Sequence, residues 1–335
     1  MITQPKIPFQ SSRWQRELAR AITSPLALLR QLDIDPAAFP EPLALRTDFR
    51  MCVTRSYASR MRRGDAADPL LRQVLPLAAE TDRAEGYGVD PVGDLKATAR
   101  PGVLQKYAGR VLLVMTGACA IHCRYCFRRH FPYGESNAAA GDWNEALAYL
   151  AREKSITEVI LSGGDPLTMS DARLADIAHR LAAIPHLRTL RLHTRLPVVL
   201  PERIDERCIE WLAGTRLRPV VIIHANHGNE IDGAVRRALR ALRAAGVTVL
   251  NQSVLLRGVN DDAKALCDLS EALFDAGALP YYLHLLDRVQ GAAHFDVAEA
   301  RAREIVTCVR RQLPGYLVPR LVREFEGAPF KVPLL

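Results

Sequence analysis

Lysine is scarce in this chain: its 335 residues hold 39 arginines and only six lysines. Chemistry that needs a lysine imine is therefore confined to Lys6, Lys96, Lys106, Lys154, Lys264 and Lys331. Long apolar runs are missing too. No stretch reaches eighteen apolar residues, and the opening MITQPKIPFQSSRWQRELARAIT lacks the apolar centre of a secretory signal, which predicts a cytoplasmic protein without a membrane segment. There is no low-complexity tract, RGG-type run or basic tail. The formal charge of +8 is scattered along the chain, the pattern of a solvated face, so no nucleic-acid partner is expected. The seven cysteines are odd in number and three form one tight group, which argues against a secreted disulfide framework.

That group is the most informative feature present. Cys119, Cys123 and Cys126 lie in MTGACAIHCRYCFRRH at C-x3-C-x2-C spacing, with Tyr125 before the last thiol and Arg128 and Arg129 soon after it. A cubane iron–sulfur cluster normally takes four thiolates, so three leave one iron open to a small molecule. Short intracellular cysteine groups also bind zinc, and His122 within the run could complete a Cys3His site. Spacing alone leaves both readings open. Cys52, Cys208, Cys267 and Cys308 are scattered singly and read as small core residues.

A hydrophobic content of 49% is ample for a large core, and beyond residue 108 the pattern is regular. RVLLVMT (110–116), EVILSG (158–163), RTLRLHT (188–194), RPVVIIHA (218–225), VTVLNQS (247–253) and PYYLHLL (280–286) read as buried parallel strands. Helical spacing fills the intervals at 142–153, 171–183, 203–213, 230–245, 262–276 and 296–312. Asp142, Ser170 and Asp261 are candidate N-caps, and Gly246 and Gly277 stand where helices end. Six such βα units predict an α/β fold, a partial (β/α)6 barrel of TIM type. Three regions are expected: a mostly helical one at 1–98, the barrel at 99–313 and a C-terminal segment at 314–335. Ligands of such sheets sit at the carboxyl ends of the strands. Polar residues gather there, at 116–126, 162–165, 193–195, 224–227, 251–253 and 284–287.

LSGGDPL (161–167) follows the second of these strands. Gly163 and Gly164 would let backbone approach a ligand closely, and Asp165 before proline sets a turn. Together with the cysteine run, this strand end resembles the radical S-adenosylmethionine (radical SAM) superfamily, where the open iron takes the amino and carboxylate groups of the methionine moiety. HTRLPVVLP (193–201), HANHGNE (224–230), NQSVLLRGVND (251–261) and GAPFKVP (327–333) narrow the resemblance. Over about residues 90–335 the chain is similar to the lysine 2,3-aminomutase family, and by length to the short bacterial form that makes (R)-β-lysine for elongation factor P.

The resemblance implies a partial radical SAM barrel and an isomerase that moves the amino group of L-lysine from C2 to C3. It implies three cofactors: a [4Fe-4S] cluster on Cys119, Cys123 and Cys126, S-adenosylmethionine, and pyridoxal 5′-phosphate in Schiff-base linkage to Lys331. Arg110, Asn251 and Gln252 would serve the pyridoxal phosphate, and Ser162, Gly163, Gly164, Asp165 and His224 would complete the cofactor pocket. Arg128 would pair with the substrate carboxylate. Asp287 and Glu324 would receive the distal ammonium, Glu324 standing where the family has aspartate. The implied partners are an electron-donor protein and a ligase that attaches the product to elongation factor P. The alternatives are a radical SAM aminomutase for another amino acid, a radical SAM enzyme without pyridoxal phosphate, and a non-catalytic zinc- or nucleic-acid-binding module.

Overall fold

The computed structural model describes residues 12–45, 47–136, 138 and 143–335. Ten strands lie side by side in chain order: β1 (Thr98–Arg100), β2 (Val103–Tyr107), β3 (Arg110–Thr116), β4 (Glu158–Gly163), β5 (Thr189–Thr194), β6 (Arg218–His224), β7 (Thr248–Val254), β8 (Leu279–His284), β9 (Arg320–Arg323) and β10 (Val332–Pro333). From β3 to β9 every neighbouring pair is parallel. The β1–β2, β2–β3 and β9–β10 pairs are antiparallel and flank this array on both sides. The six apolar runs all form strands, and β9 adds a seventh parallel strand that its short RLVR sequence did not announce.

The N-terminal region departs from the helical expectation. Among its described residues it holds only short α-helices, α1 (Arg13–Ala19), α2 (Pro25–Gln31), α3 (Arg55–Ala58) and α4 (Pro69–Arg72), joined by irregular chain. Prolines explain the brevity. Pro25 and Pro69 open helices where a missing N–H costs nothing, while Pro40, Pro42, Pro76 and Pro91 interrupt the intervening segments.

Helices α5 (Asn144–Arg152), α6 (Asp171–Ala182), α7 (Leu196–Val199), α8 (Glu206–Ala213), α9 (Gly233–Ala244), α10 (Ala263–Ala276) and α11 (Glu299–Gln312) connect the parallel strands. Helix α9 shows the packing rule: Val235, Ala238, Leu239 and Leu242 are buried at helical spacing while its arginines face outward. Each large apolar side chain so buried contributes about 1.5–3 kcal/mol. Helix α10 is capped by Asp262, one residue later than expected, whose carboxylate accepts from Ala265 N–H, and it ends on Gly277 at φ +90°. Ser170 occupies the N-cap of α6 without a side-chain cap bond, and Asp142 lies outside the described residues. Among the described residues no helix is long and apolar enough to cross a membrane.

Candidate active site

The three cysteines sit on the loop that follows β3, and the N-terminal region grips that loop from outside. His122 N–H donates to Cys52 O (2.9 Å) and Arg124 N–H to Gln73 O (2.9 Å). Arg124, wholly buried, forks onto Glu80, with its Nε 2.7 Å from Oε1 and its Nη2 on Oε2. Glu80 also takes Arg129 Nη2 at 2.7 Å. From inside, the end of β4 presses on the same loop. Gly164 N–H donates to Thr116 O (2.7 Å) and Asp165 N–H to Ala118 O (2.8 Å). A Cβ on Gly163 would lie 2.7 Å from Thr116 O, and one on Gly164 only 2.4 Å from Ala118 O. The close approach that demands these glycines is to the cysteine loop, and both also line the cavity that the three cysteines share.

Asp165 is likewise a brace. Its carboxylate accepts from Thr194 Oγ1 (2.7 Å) and from the N–H groups of Arg195 (2.7 Å), Leu167 (3.1 Å) and Leu196 (3.2 Å), tying the ends of β4 and β5 together.

All three cysteines line one cavity. Burial, joined by the neighbouring thiols, pushes Cys119 well up and Cys126 to about 11. Cys119 and Cys126 so raised resist ionising, and bound iron removes that penalty by supplying the opposing charge. The donor set therefore fits a cluster. The zinc alternative fares worse: His122, its ring stacked on Phe49, does not line the cavity that the three cysteines share. Among the described residues no three His, Cys, Asp or Glu side chains converge to hold a single metal ion.

The same cavity contains Lys331, brought in by the β9–β10 hairpin. Val332 pairs with Arg323 and Pro333 with Val322, so the next position sets Lys331 opposite Glu324. The two form an ion pair. It starts a line of alternating charge: Glu324 Oε1 to Lys106 Nζ (2.8 Å), Lys106 Nζ to Asp94 Oδ1 (2.6 Å), and Asp94 Oδ2 to Arg128 Nε (2.6 Å). Arg128 Nη1 ends it on Ser162 Oγ at 3.3 Å. Burial alone would raise Glu324, but Lys331 and Lys106 hold it well below the usual carboxylate range. Asp94 is held low likewise, its burial outweighed by Arg128 and Lys106. Asp287, lining the same cavity, is pushed up to about 7 by burial and by the charge of Glu324.

Lys106 and Asp94 carried no motif in the sequence. The one hint was a lysine amid the half-buried VLQKY of β2 in a lysine-poor chain. Lys331 has a carboxylate beside it, and Arg128 is engaged by Asp94.

Buried polar atoms without a protein partner mark where a ligand would make hydrogen bonds. His193 Nε2, His224 Nε2 and Gln252 Nε2 are such atoms, and all three residues line the cavity. Burial and nearby cations lower both histidines, His224 to about 4, so neutral rings are presented. Arg110 lines the cavity with its guanidinium over the Tyr107 ring at 4.7 Å. Asn251 does not line it. Its amide accepts from Ala225 N–H (2.9 Å) and donates to Ala225 O (3.1 Å) and Ser253 Oγ (2.9 Å), cross-linking the end of β6 to β7.

The profile of the Radical SAM superfamily matches residues 113–269, which hold the cysteine loop and strands β4 to β7. L-lysine 2,3-aminomutase of Escherichia coli (strain K12) is 48% identical over 324 residues, covering 96% of this chain and 94% of that protein. The chain belongs to the lysine 2,3-aminomutase family. L-lysine 2,3-aminomutase of Haemophilus influenzae is 45% identical over 331 residues, 99% of this chain and 98% of that one. The Clostridium subterminale enzyme of that name is 35% identical over 288 residues, covering 85% of this chain and 69% of its own length. As a member of this family the chain is an isomerase of radical SAM type.

Proposed function

We propose that this chain converts L-lysine to (R)-β-lysine as a pyridoxal phosphate-dependent radical SAM aminomutase. One observation carries the reading: Cys119, Cys123, Cys126 and Lys331 line a single cavity, so an iron–sulfur site and an imine-forming amine face the same space. When bound, the cluster with S-adenosylmethionine supplies a carbon-centred radical that abstracts hydrogen, and pyridoxal phosphate carries the migrating nitrogen.

The chain's own residues do the positioning. Cys119, Cys123 and Cys126 hold the cluster and leave one iron open. Lys331 is the anchor for the pyridoxal aldehyde, and Glu324 holds its Nζ in place beforehand. Arg110 and Gln252 serve the cofactor's phosphate, and Ser162 and His224 its companion's polar groups. Arg128, oriented by Asp94, offers its remaining face to the substrate carboxylate. Asp287 meets the distal ammonium, and gaining that cation favours its charged form. Leu104, Val111, Ile160 and Leu286 line the same cavity and exclude water from the reacting centre. An external one-electron donor must reduce the cluster, and a ligase that acts on elongation factor P is the proposed consumer of the product.

The test is anaerobic reconstitution with iron and sulfide, addition of the cofactors, a reductant and L-lysine, and detection of β-lysine by chiral chromatography. Borohydride should fix pyridoxal phosphate on the peptide that contains Lys331. Product that persists in Cys126→Ala or Lys331→Ala would refute these assignments. Cleavage of S-adenosylmethionine without β-lysine would show that the substrate is another compound.

A further inference from the structure

A side chain from beyond the cysteine loop is hydrogen-bonded to a sulfur of the site. Arg195, at the N-cap of α7 just after β5, donates from Nη1 to Cys123 Sγ at 2.8 Å. Its Nη2 donates to Gln73 Oε1 (2.7 Å), Glu230 Oε2 (2.9 Å) and Tyr57 Oη (3.2 Å). The guanidinium also lies over the rings of Tyr57 and Tyr125. This is a buried cation against one thiol, with a single buried carboxylate as its counter-charge: Arg195 is 7% exposed and Glu230 0%.

Glu230 is fixed from its other oxygen. Its Oε1 accepts from Gln73 Nε2 (3.1 Å) and from the N–H groups of Asn226 (2.8 Å) and His227 (3.1 Å). Neither Arg195 nor Glu230 has a part in the reaction as proposed above. Both are expensive to bury, and their placement calls for a reason.

We propose that Arg195, partly offset by Glu230, sets the reduction potential of the cluster; this rests on the reading that Cys119, Cys123 and Cys126 hold one. Reduction by an external one-electron donor adds one negative charge to the iron–sulfur core and its thiolates. A cation bonded to Cys123 Sγ stabilises the reduced form more than the oxidised form, and a carboxylate behind that cation weakens the effect. Arg195 is thus a positioning residue for charge. The two partners must act with opposite sign.

The experiment is a redox titration of the reconstituted protein, followed by the electron paramagnetic resonance of the reduced cluster, without S-adenosylmethionine, pyridoxal phosphate or lysine. Iron and sulfide content is measured in each variant. In Arg195→Gln the ratio of reduced to oxidised cluster at a fixed potential should fall about tenfold, a shift of about 59 mV to more negative potential for a one-electron couple. Glu230→Gln, which keeps an acceptor for Asn226 and His227, should shift it the other way, and Arg195→Lys should lie nearer the wild type than Arg195→Gln. If Arg195→Gln takes up no cluster, the opposite-sign shift in Glu230→Gln carries the test. Potentials unchanged at full iron content, or both variants shifting in the same direction, would overturn the proposal. A wild-type protein that binds no iron and sulfide would instead overturn the cysteine reading beneath it.

Discussion

Lys106→Met removes the middle cation from the line that joins Asp94 to Glu324. The side chains are 15%, 3% and 12% exposed respectively, so little solvent can replace the lost charge. Breaking a buried pair by deleting one partner costs about 3–5 kcal/mol. The lower end applies, because Arg128 still neutralises Asp94 and Lys331 still neutralises Glu324. The expected loss is about 3 kcal/mol at pH 7, read from urea unfolding of the cofactor-free protein. Its pH dependence separates charge from packing. Both carboxylates titrate below their ordinary values of 3.8 and 4.5 when folded, so their stabilisation is complete above those values and disappears as the pH falls through the lower folded ones. The difference between wild type and variant should therefore shrink when unfolding is repeated below pH 4, and Lys106→Arg should recover part of the loss at pH 7. A loss under about 1 kcal/mol at pH 7, or an equal loss at both pH values, would refute the reasoning.

Asp287 titrates at about 7 when folded, above its ordinary value of 3.8, so its ionisation opposes folding as the pH rises toward 7. Asp287→Asn should raise the thermal midpoint of the free protein at pH 8 and leave it unchanged at pH 3.5, while weakening lysine binding in the holoenzyme. Gly164→Ala places a methyl group 2.4 Å from Ala118 O, so it should lower both the thermal midpoint and the iron content after reconstitution; full iron uptake would count against the packing account. Glu80→Gln leaves Arg124 and Arg129 without their shared charge and should destabilise the protein by about 3 kcal/mol, visible as a lower urea midpoint.

The barrel was legible because most of its strands carry short apolar runs at their centres. EVILSG and RPVVIIH are continuous apolar runs, and the helices between them repeat apolar residues at spacings of three and four. Strands β1, β9 and β10 were not, since two to four residues carry too little pattern. The cysteine trio and Lys331, which line one cavity, stood out in local motifs. Arg195 and Lys106 were harder, because their meaning lies in partners 72 and 218 residues away along the chain. Asn251 was misplaced for a related reason. A strand-end amide can face the ligand or the next strand, and here Ala225 on β6's exit takes it.

The β9–β10 pairing has a further consequence. Two backbone partners, Arg323 with Val332 and Val322 with Pro333, decide which face of the ribbon presents residue 331. Side chains along a strand alternate, so adding one residue in the turn at 325–330 would send the Lys331 amine to the opposite face. The place of Lys331 in the cavity is therefore a matter of parity in a six-residue turn. Insertions there should be tolerated for activity only in twos.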